Sequence, residues 1–180
     1  MYGLVNNSLK EFVASNYGVE TWNKVLKKSN TDIDFFLNTE PYSDELTFSL
    51  VVHAAELSQT PLDQFLNAFG EFWVLHTAEK NYGVMLKTLG DNVKDFLINL
   101  VDFHNKVILM YPKMTPPIFE VTNIEDNAMV FHYISTRSGL MEFMVGLLKG
   151  VGKRFSIEMN IEKMNSFENG KYHELFKLSW

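Results

Sequence analysis

Apolar positions recur at helical spacing through most of the first 110 residues. Val5, Leu9, Phe12 and Val13 lie on one helical face, and Tyr17-Gly18 ends that segment. Trp22, Val25 and Leu26 mark a second, short helix. Thr31 to Ser43 is aperiodic and contains Pro41, so it reads as a long connection. Ser43 is placed to cap a third helix, with Asp44 and Glu45 in the first turn, where the positive end of the helix dipole favours acids. Thr60-Pro61-Leu62-Asp63 starts a fourth: a cap, proline at the first helical position, and an acid three residues after the cap. That helix is expected to run through Phe65, Phe69, Phe72 and Trp73 towards Thr77, followed by a short helix from Val84 to Leu89 that Gly90 closes. Asp91 would cap the longest candidate, Asn92 to about Met110, which Tyr111-Pro112 ends.

Beyond Pro116-Pro117 the period changes to two. Ile118–Thr122 and Met129–Ser135 read as paired strands about the turn Glu125-Asp126-Asn127. A helix over Gly139–Gly152 follows. Phe155, Ile157, Met159 and Ile161 then alternate with Ser156, Glu158, Asn160 and Glu162 as a half-buried strand. Glu168-Asn169-Gly170 turns the chain into a last strand, Tyr172–Leu178. Helices first and an antiparallel sheet with one inserted helix afterwards make an α+β plan in a single domain of 180 residues.

Composition narrows the function. Apolar residues at 46% and charged residues at 21% are ordinary for a globular chain. Aromatics reach 14%, with fifteen Phe, and there are nine Met, an interior suited to wrapping something large and flat or simply a generous core. A net charge of −6 with scattered Lys and Arg argues against nucleic acid as partner. The absence of cysteine removes disulfides, thiolate zinc sites, iron–sulfur clusters and thiol nucleophiles. The start of the chain has no signal-peptide pattern and no run approaches the ~20 apolar residues of a membrane span, so a cytoplasmic protein without a membrane partner is expected.

Two constellations could carry chemistry. His104 on the long helix has Leu97, Leu100, Val101, Val107 and Ile108 as same-face neighbours. A histidine in an apolar stripe is either a core residue bonded to a backbone carbonyl or an axial ligand to haem iron, which needs a neutral imidazole in an apolar slot. In a strand, Tyr133, Ser135 and Arg137 share one face and present two hydroxyls and a guanidinium, a donor set for carboxylates or a phosphate such as the two propionates of haem. Enzyme motifs are missing: no phosphate loop, no Gly-x-Ser-x-Gly elbow, no His-Glu-x-x-His, and no second partner for the His53/Glu56 pair. Gly146, Gly150 and Gly152 read as close-packing positions, and without Cys-x-x-Cys-His any haem must be held non-covalently.

With these residues in order, the chain resembles the H-NOX (haem nitric oxide/oxygen-binding) domain, including the haem domain of the soluble guanylate cyclase β subunit and stand-alone cyanobacterial-type bacterial members. The resemblance covers nearly the whole chain through Met1-Tyr2-Gly3-Leu4-Val5-Asn6, Ala68-Phe69-Gly70, Asn99-Leu100 leading to His104, Tyr111-Pro112, Pro116-Pro117 and Gly146-Leu147-Leu148-Lys149-Gly150. It implies haem b, ferrous and non-covalent, lying between a distal helical part (1–65) and a proximal part (66–180) that carries a four-stranded sheet. It further implies His104 as the iron ligand, Tyr133, Ser135 and Arg137 as the propionate clamp, Pro117 pressing on the macrocycle, and Val5 and Leu147 packing on its faces. Trp73, Phe143 and Leu9 match distal positions. Oxygen-binding members carry a tyrosine where Phe143 stands, so the resemblance implies a sensor of nitric oxide and carbon monoxide that excludes oxygen; the alternative is an oxygen sensor or carrier with the Trp73 indole as donor. No zinc site is expected, since His173 alone does not replace the Cys/His set of some relatives. The implied mechanism starts from five-coordinate iron, breaks the iron–His104 bond when nitric oxide binds, and relaxes the haem against Pro117 and Val5. With the chain ending at Trp180, the output is expected on a separate protein, a histidine kinase or a cyclic-nucleotide enzyme, and the domain itself is not an enzyme. A peroxidase, using His76, would need a distal arginine that the sequence does not supply, and a haem-free module for an apolar ligand or a protein partner would be colourless.

Overall fold

The computed structural model describes residues 1–33, 35–109, 117–168 and 171–180. The expected helix stop at Tyr111-Pro112, Pro116 and the turn residues Asn169-Gly170 lie outside them, as do the side chains of Val107 and Ile108. The chain forms two compact units, Met1–Phe69 and Gly70–Trp180.

In the first unit, α1 (Gly3–Tyr17) ends at Gly18, whose φ of 89° is open to glycine and costly for other residues. Next come α2 (Val19–Lys28) and α3 (Asp44–Leu57). Ser43 caps α3 as its sequence implies, its hydroxyl accepting from the Leu46 N–H at 3.2 Å. The aperiodic connection before α3 is tied to the start of α1. The Gly3 N–H donates to the Glu40 carbonyl at 3.0 Å, and the Asn7 amide donates to the Phe36 carbonyl at 2.6 Å. These bonds satisfy polar groups that a loop would otherwise leave to water, and Phe36 is fully buried behind them. Phe12, Phe65 and Phe69 form the aromatic centre of this unit, with Phe12 5.2 Å from Phe65 and 5.6 Å from Phe69.

The next helical run differs from the sequence expectation. Instead of a helix ending near Thr77 and a separate one from Val84, α4 (Leu62–Phe72) passes into a π-helical segment, Trp73–Ala78, and then into α5 (Glu79–Leu86) without a break. The wider turn shifts the phase of the apolar stripe, which is why a 3.6-residue period loses it here. The long α6 (Val93–Leu109) starts with Asn92 rather than Asp91 as its cap: the Asn92 side chain accepts from the Asp95 N–H at 2.9 Å.

The four strands are β1 (Ile118–Thr122), β2 (Ala128–Ser135), β3 (Asn160–Glu168) and β4 (Lys171–Ser179), with α7 (Met141–Arg154) between β2 and β3. They form one antiparallel sheet in the order β1-β2-β4-β3. The alternation from Phe155 to Met159 is not strand. The Ile157 N–H reaches back to the Gly152 carbonyl at 2.9 Å and Ser156 has φ 57°, so the end of α7 wraps round before β3 begins at Asn160. The core of the second unit lies on one face of the sheet, where Phe131, Phe176 and Leu178 meet Val93, Phe96 and Leu97 of α6 and Met144, Leu148 and Val151 of α7. Among the described residues no helix is long and apolar enough to cross a membrane.

Candidate functional site

The site grows from α6 and the core face of β1 and β2. His104 is half-buried near the end of α6. Its ring lies 4.3 Å from that of Phe119 on β1, and Phe119 lies 5.3 Å from Phe131 and 6.0 Å from Tyr133 on β2. Register explains the grouping, because Phe119 pairs directly with Tyr133, and same-face neighbours on paired strands touch. Of the apolar stripe expected around His104, Leu97 is fully buried and Leu100 and Val101 are half-buried.

The electrostatics of His104 bear on the two readings that the sequence leaves open. A core histidine would have its nitrogens satisfied. Here Nδ1 is buried without a hydrogen-bond partner among the described residues, and burial pushes the imidazole down to about 4, so the ring is neutral at physiological pH. A neutral imidazole in an apolar setting is the chemical form that ligation of haem iron requires.

Tyr133 and Ser135 are both buried on β2, and Arg137 follows at the strand exit. Ser135 Oγ accepts from the Arg137 N–H at 3.0 Å, which fixes the chain as it leaves the sheet. Burial pushes the Tyr133 phenol up, partly offset by its hydrogen bond to Ser135 and the positive charge of Arg137. It is therefore a protonated donor. Two hydroxyls and a guanidinium on consecutive alternate positions fit the carboxylates of a haem edge, and together with His104 they make a donor set that suits the cofactor.

Pro117 is half-buried immediately before β1. Trp73 and Phe143 come together, their rings 6.3 Å apart and nearly perpendicular, with Leu147 one turn further along α7. Two glycines allow this approach. A Cβ on Gly70 would lie 2.8 Å from the Leu147 nitrogen and closer still to the Phe143 carbonyl, and one on Gly150 would lie 2.8 Å from Val74 Cβ. In the first unit, Val5 is half-buried and Leu9 fully buried on α1.

Two residues of the site escape sequence reasoning. Phe119 looks like any alternate strand residue until register sets it between His104 and Tyr133. Glu174 on β4 pairs with Tyr133, is only 7% exposed, has an unpartnered Oε2, and is pushed up by burial. No local pattern distinguishes it from the other acids of the chain.

Comparison with known proteins places the family and the fold. A haem-NO-binding family model matches residues 2–163. The chain is similar to soluble guanylate cyclase 89Da of Drosophila melanogaster, 28% identical over 174 residues that cover 94% of this chain and 26% of that protein. It is also similar to the guanylate cyclase soluble subunit beta-2 of Rattus norvegicus, 36% identical over 107 residues, 58% of this chain and 16% of that one. The chain thus spans about a quarter of the length of the curated relatives it matches. Among solved structures it shares the fold of an H-NOX protein from S. oneidensis in the Fe(II)NO ligation state, with a TM-score of 0.85 at 23% identity, covering 99% of this chain and 98% of that one. An oxygen-binding H-NOX domain related to soluble guanylate cyclases, solved as its oxygen complex, aligns with a TM-score of 0.85 at 18% identity, over 99% of this chain and 94% of that one. A family model that spans most of its length, on a fold shared with these proteins, makes this chain a member of the haem-NO-binding (H-NOX) family of haem-binding gas-sensor domains.

Proposed function

We propose that this domain is a ferrous haem b sensor of nitric oxide and carbon monoxide that does not hold oxygen, and that it reports to a separate signalling protein in the cytoplasm, such as a histidine kinase or a cyclic-nucleotide enzyme. The buried Nδ1 of His104, which has no hydrogen-bond partner among the described residues, carries the reading. The haem supplies the iron to which a diatomic gas binds. His104 would hold that iron through its neutral ring; Tyr133, Ser135 and Arg137 would anchor the propionates; Pro117, Val5 and Leu147 would pack against the macrocycle. Release of His104 from the iron would be the signal, and it would act on a partner only through the difference in affinity between the tethered and untethered states.

Selectivity follows from the aromatic pair. Phe143 offers no hydroxyl to bound oxygen, and one hydrogen bond contributes about 1 kcal/mol, more in a dry pocket, to a ligand held weakly without it. Nitric oxide needs no such donor.

The test is the visible spectrum of haem-loaded protein, reduced without air, then exposed to air, and separately to nitric oxide and carbon monoxide. The spectrum is expected to shift with both of the latter gases and to show no stable oxygen form. A stable oxygen spectrum would overturn the selectivity and point to the Trp73 indole. His104→Gly should require added imidazole to keep its haem, and gas-dependent control of a partner that persisted without a protein–iron bond would refute the tether. A protein that takes up no haem would refute the whole reading.

A further inference from the structure

The face of the sheet turned away from His104 carries a second histidine arrangement. Alternation sends Phe131, Tyr133 and Ser135 into the core and His132 and Ile134 to the opposite face, where β1 presents Glu120 and Thr122 and β4 presents His173 and Leu175. Here His132 Nδ1 lies 2.9 Å from His173 Nε2, and Thr122 Oγ1 lies 2.7 Å from His132 Nε2. Both imidazoles are half-buried, while Glu120 and Thr122 are exposed, so the pair is open to solutes. We propose that His132 and His173 form a bidentate site for a divalent cation that favours right-angle coordination, Cu(II) or Ni(II).

Three features support it. The first is the distance. Nitrogens bound at right angles to one ion at about 2.0–2.1 Å stand about 2.8–3.0 Å apart, whereas tetrahedral ligation separates them by about 3.3–3.4 Å. The hydrogen bond between the rings already holds them at the right-angle separation, so they need turn but not part to take a tetragonal ion. The second is orientation. With His132 Nε2–H donating to the Thr122 hydroxyl, the Nδ1 lone pair is aimed at His173, the arrangement by which an outer hydrogen bond fixes the tautomer of a ligating histidine. The third is charge. Opposed by the carboxylate of Glu120, burial and then the neighbouring His173 push His132 down, which favours the neutral ring of His132 that a metal needs.

Binding replaces the hydrogen bond between the rings. His173 moves its proton from Nε2 to Nδ1, and both facing nitrogens then offer lone pairs with no net proton released. Among the described residues no group of three or more His, Asp or Glu is assembled for a metal, so water fills the remaining positions. The proposal is independent of the haem reading.

Calorimetric titration of the full chain with Ni(II), and paramagnetic resonance of the protein with one equivalent of Cu(II), test it. One saturable site is expected, with the copper spectrum showing coupling to two imidazole nitrogens. His132→Gln and His173→Gln should each weaken binding at least tenfold, Thr122→Val several-fold, and His53→Gln, whose ring bonds to Ser29 on another part of the chain, not at all. Undiminished binding in both histidine variants, loss only with His53→Gln, or no saturable site would overturn the proposal. Zn(II) binding more tightly than both Ni(II) and Cu(II) would overturn the right-angle argument.

Discussion

The same substitution at two glycines of one helical run should have opposite consequences. At Gly70 a new Cβ meets only backbone: the Phe143 carbonyl, the Leu147 nitrogen at 2.8 Å and Gly146 Cα at 3.0 Å. No rotamer relieves these contacts, so α4 and α7 must separate. At Gly83 the new Cβ meets only the Glu79 side chain, at 2.7 Å from its Oε1 and 3.1 Å from Cδ. That chain is 39% exposed and can swing away, at the expense of its ion pair with Arg154. Both changes gain about 1 kcal/mol of helix propensity. Gly70→Ala sets against it an overpacking cost of about 1–3 kcal/mol, at the upper end because backbone does not yield, for a net loss of about 1–2 kcal/mol. Gly83→Ala risks only a partly exposed ion pair of about 0–1 kcal/mol, so it should be neutral or slightly stabilising. For a chain of this size the Gly70→Ala loss is a melting-temperature drop of about 2–8 °C. Urea unfolding followed by circular dichroism, with equal slopes in the two variants, reads the difference. Gly83→Ala as unstable as Gly70→Ala, or Gly70→Ala indistinguishable from wild type, would refute the reasoning from contact geometry.

Three further outcomes follow from particular contacts. Thr47 donates to the Asn6 side-chain oxygen at 2.9 Å with both residues buried, so Thr47→Val should cost about 1–3 kcal/mol by orphaning an acceptor on an amide whose nitrogen already lacks a partner; a change under 0.5 kcal/mol in urea unfolding would contradict it. Glu174 has its carboxyl raised in the folded protein, so wild-type stability falls as pH rises from its unfolded value through the folded one; Glu174→Gln does not titrate, and its advantage over wild type should grow from pH 4 to pH 7, an advantage flat with pH being the contrary result. Tyr133→Phe keeps the ring contact with Phe119 but removes the hydroxyl, and haem transfer to an apoprotein scavenger should quicken about tenfold if that hydroxyl anchors a propionate, with an unchanged rate excluding Tyr133 from the clamp.

What the sequence discloses is what local chemistry decides. Ser43, Gly18 and Pro61 act through their own neighbours, and the helix boundaries they mark lie where the residues say. The strand pair of Ile118–Thr122 and Ala128–Ser135 is legible for the same reason, since alternation and a short polar turn are sufficient. The π-helical segment is not, because one widened turn moves Val74 and Thr77 onto the buried side and breaks the very period used to find helices. Phe155 to Met159 mislead in the opposite way. Their alternation of burial is real, with Met159 buried and Ile157 packed against the core, but a helix end that wraps onto the sheet produces the same pattern as a strand.

The candidate site divides along the same line. His104 and the Tyr133-x-Ser135-x-Arg137 string are visible as residue types at a spacing, yet their significance rests on what surrounds them. A histidine in an apolar stripe is unremarkable if its nitrogens are bonded, and only the fold leaves Nδ1 without a partner. An orphaned buried polar atom costs about 1–3 kcal/mol, and among the described residues of the unit bearing Tyr133 both His104 and Glu174 carry one, which is the observation that sets them apart from ordinary core residues. Register is the missing information: it sets Phe119 and Glu174 opposite Tyr133 on the core face, and by the same pairing brings His132 within reach of His173 on the other. Pairing joins residues 41 apart in sequence, so no window along the chain contains it.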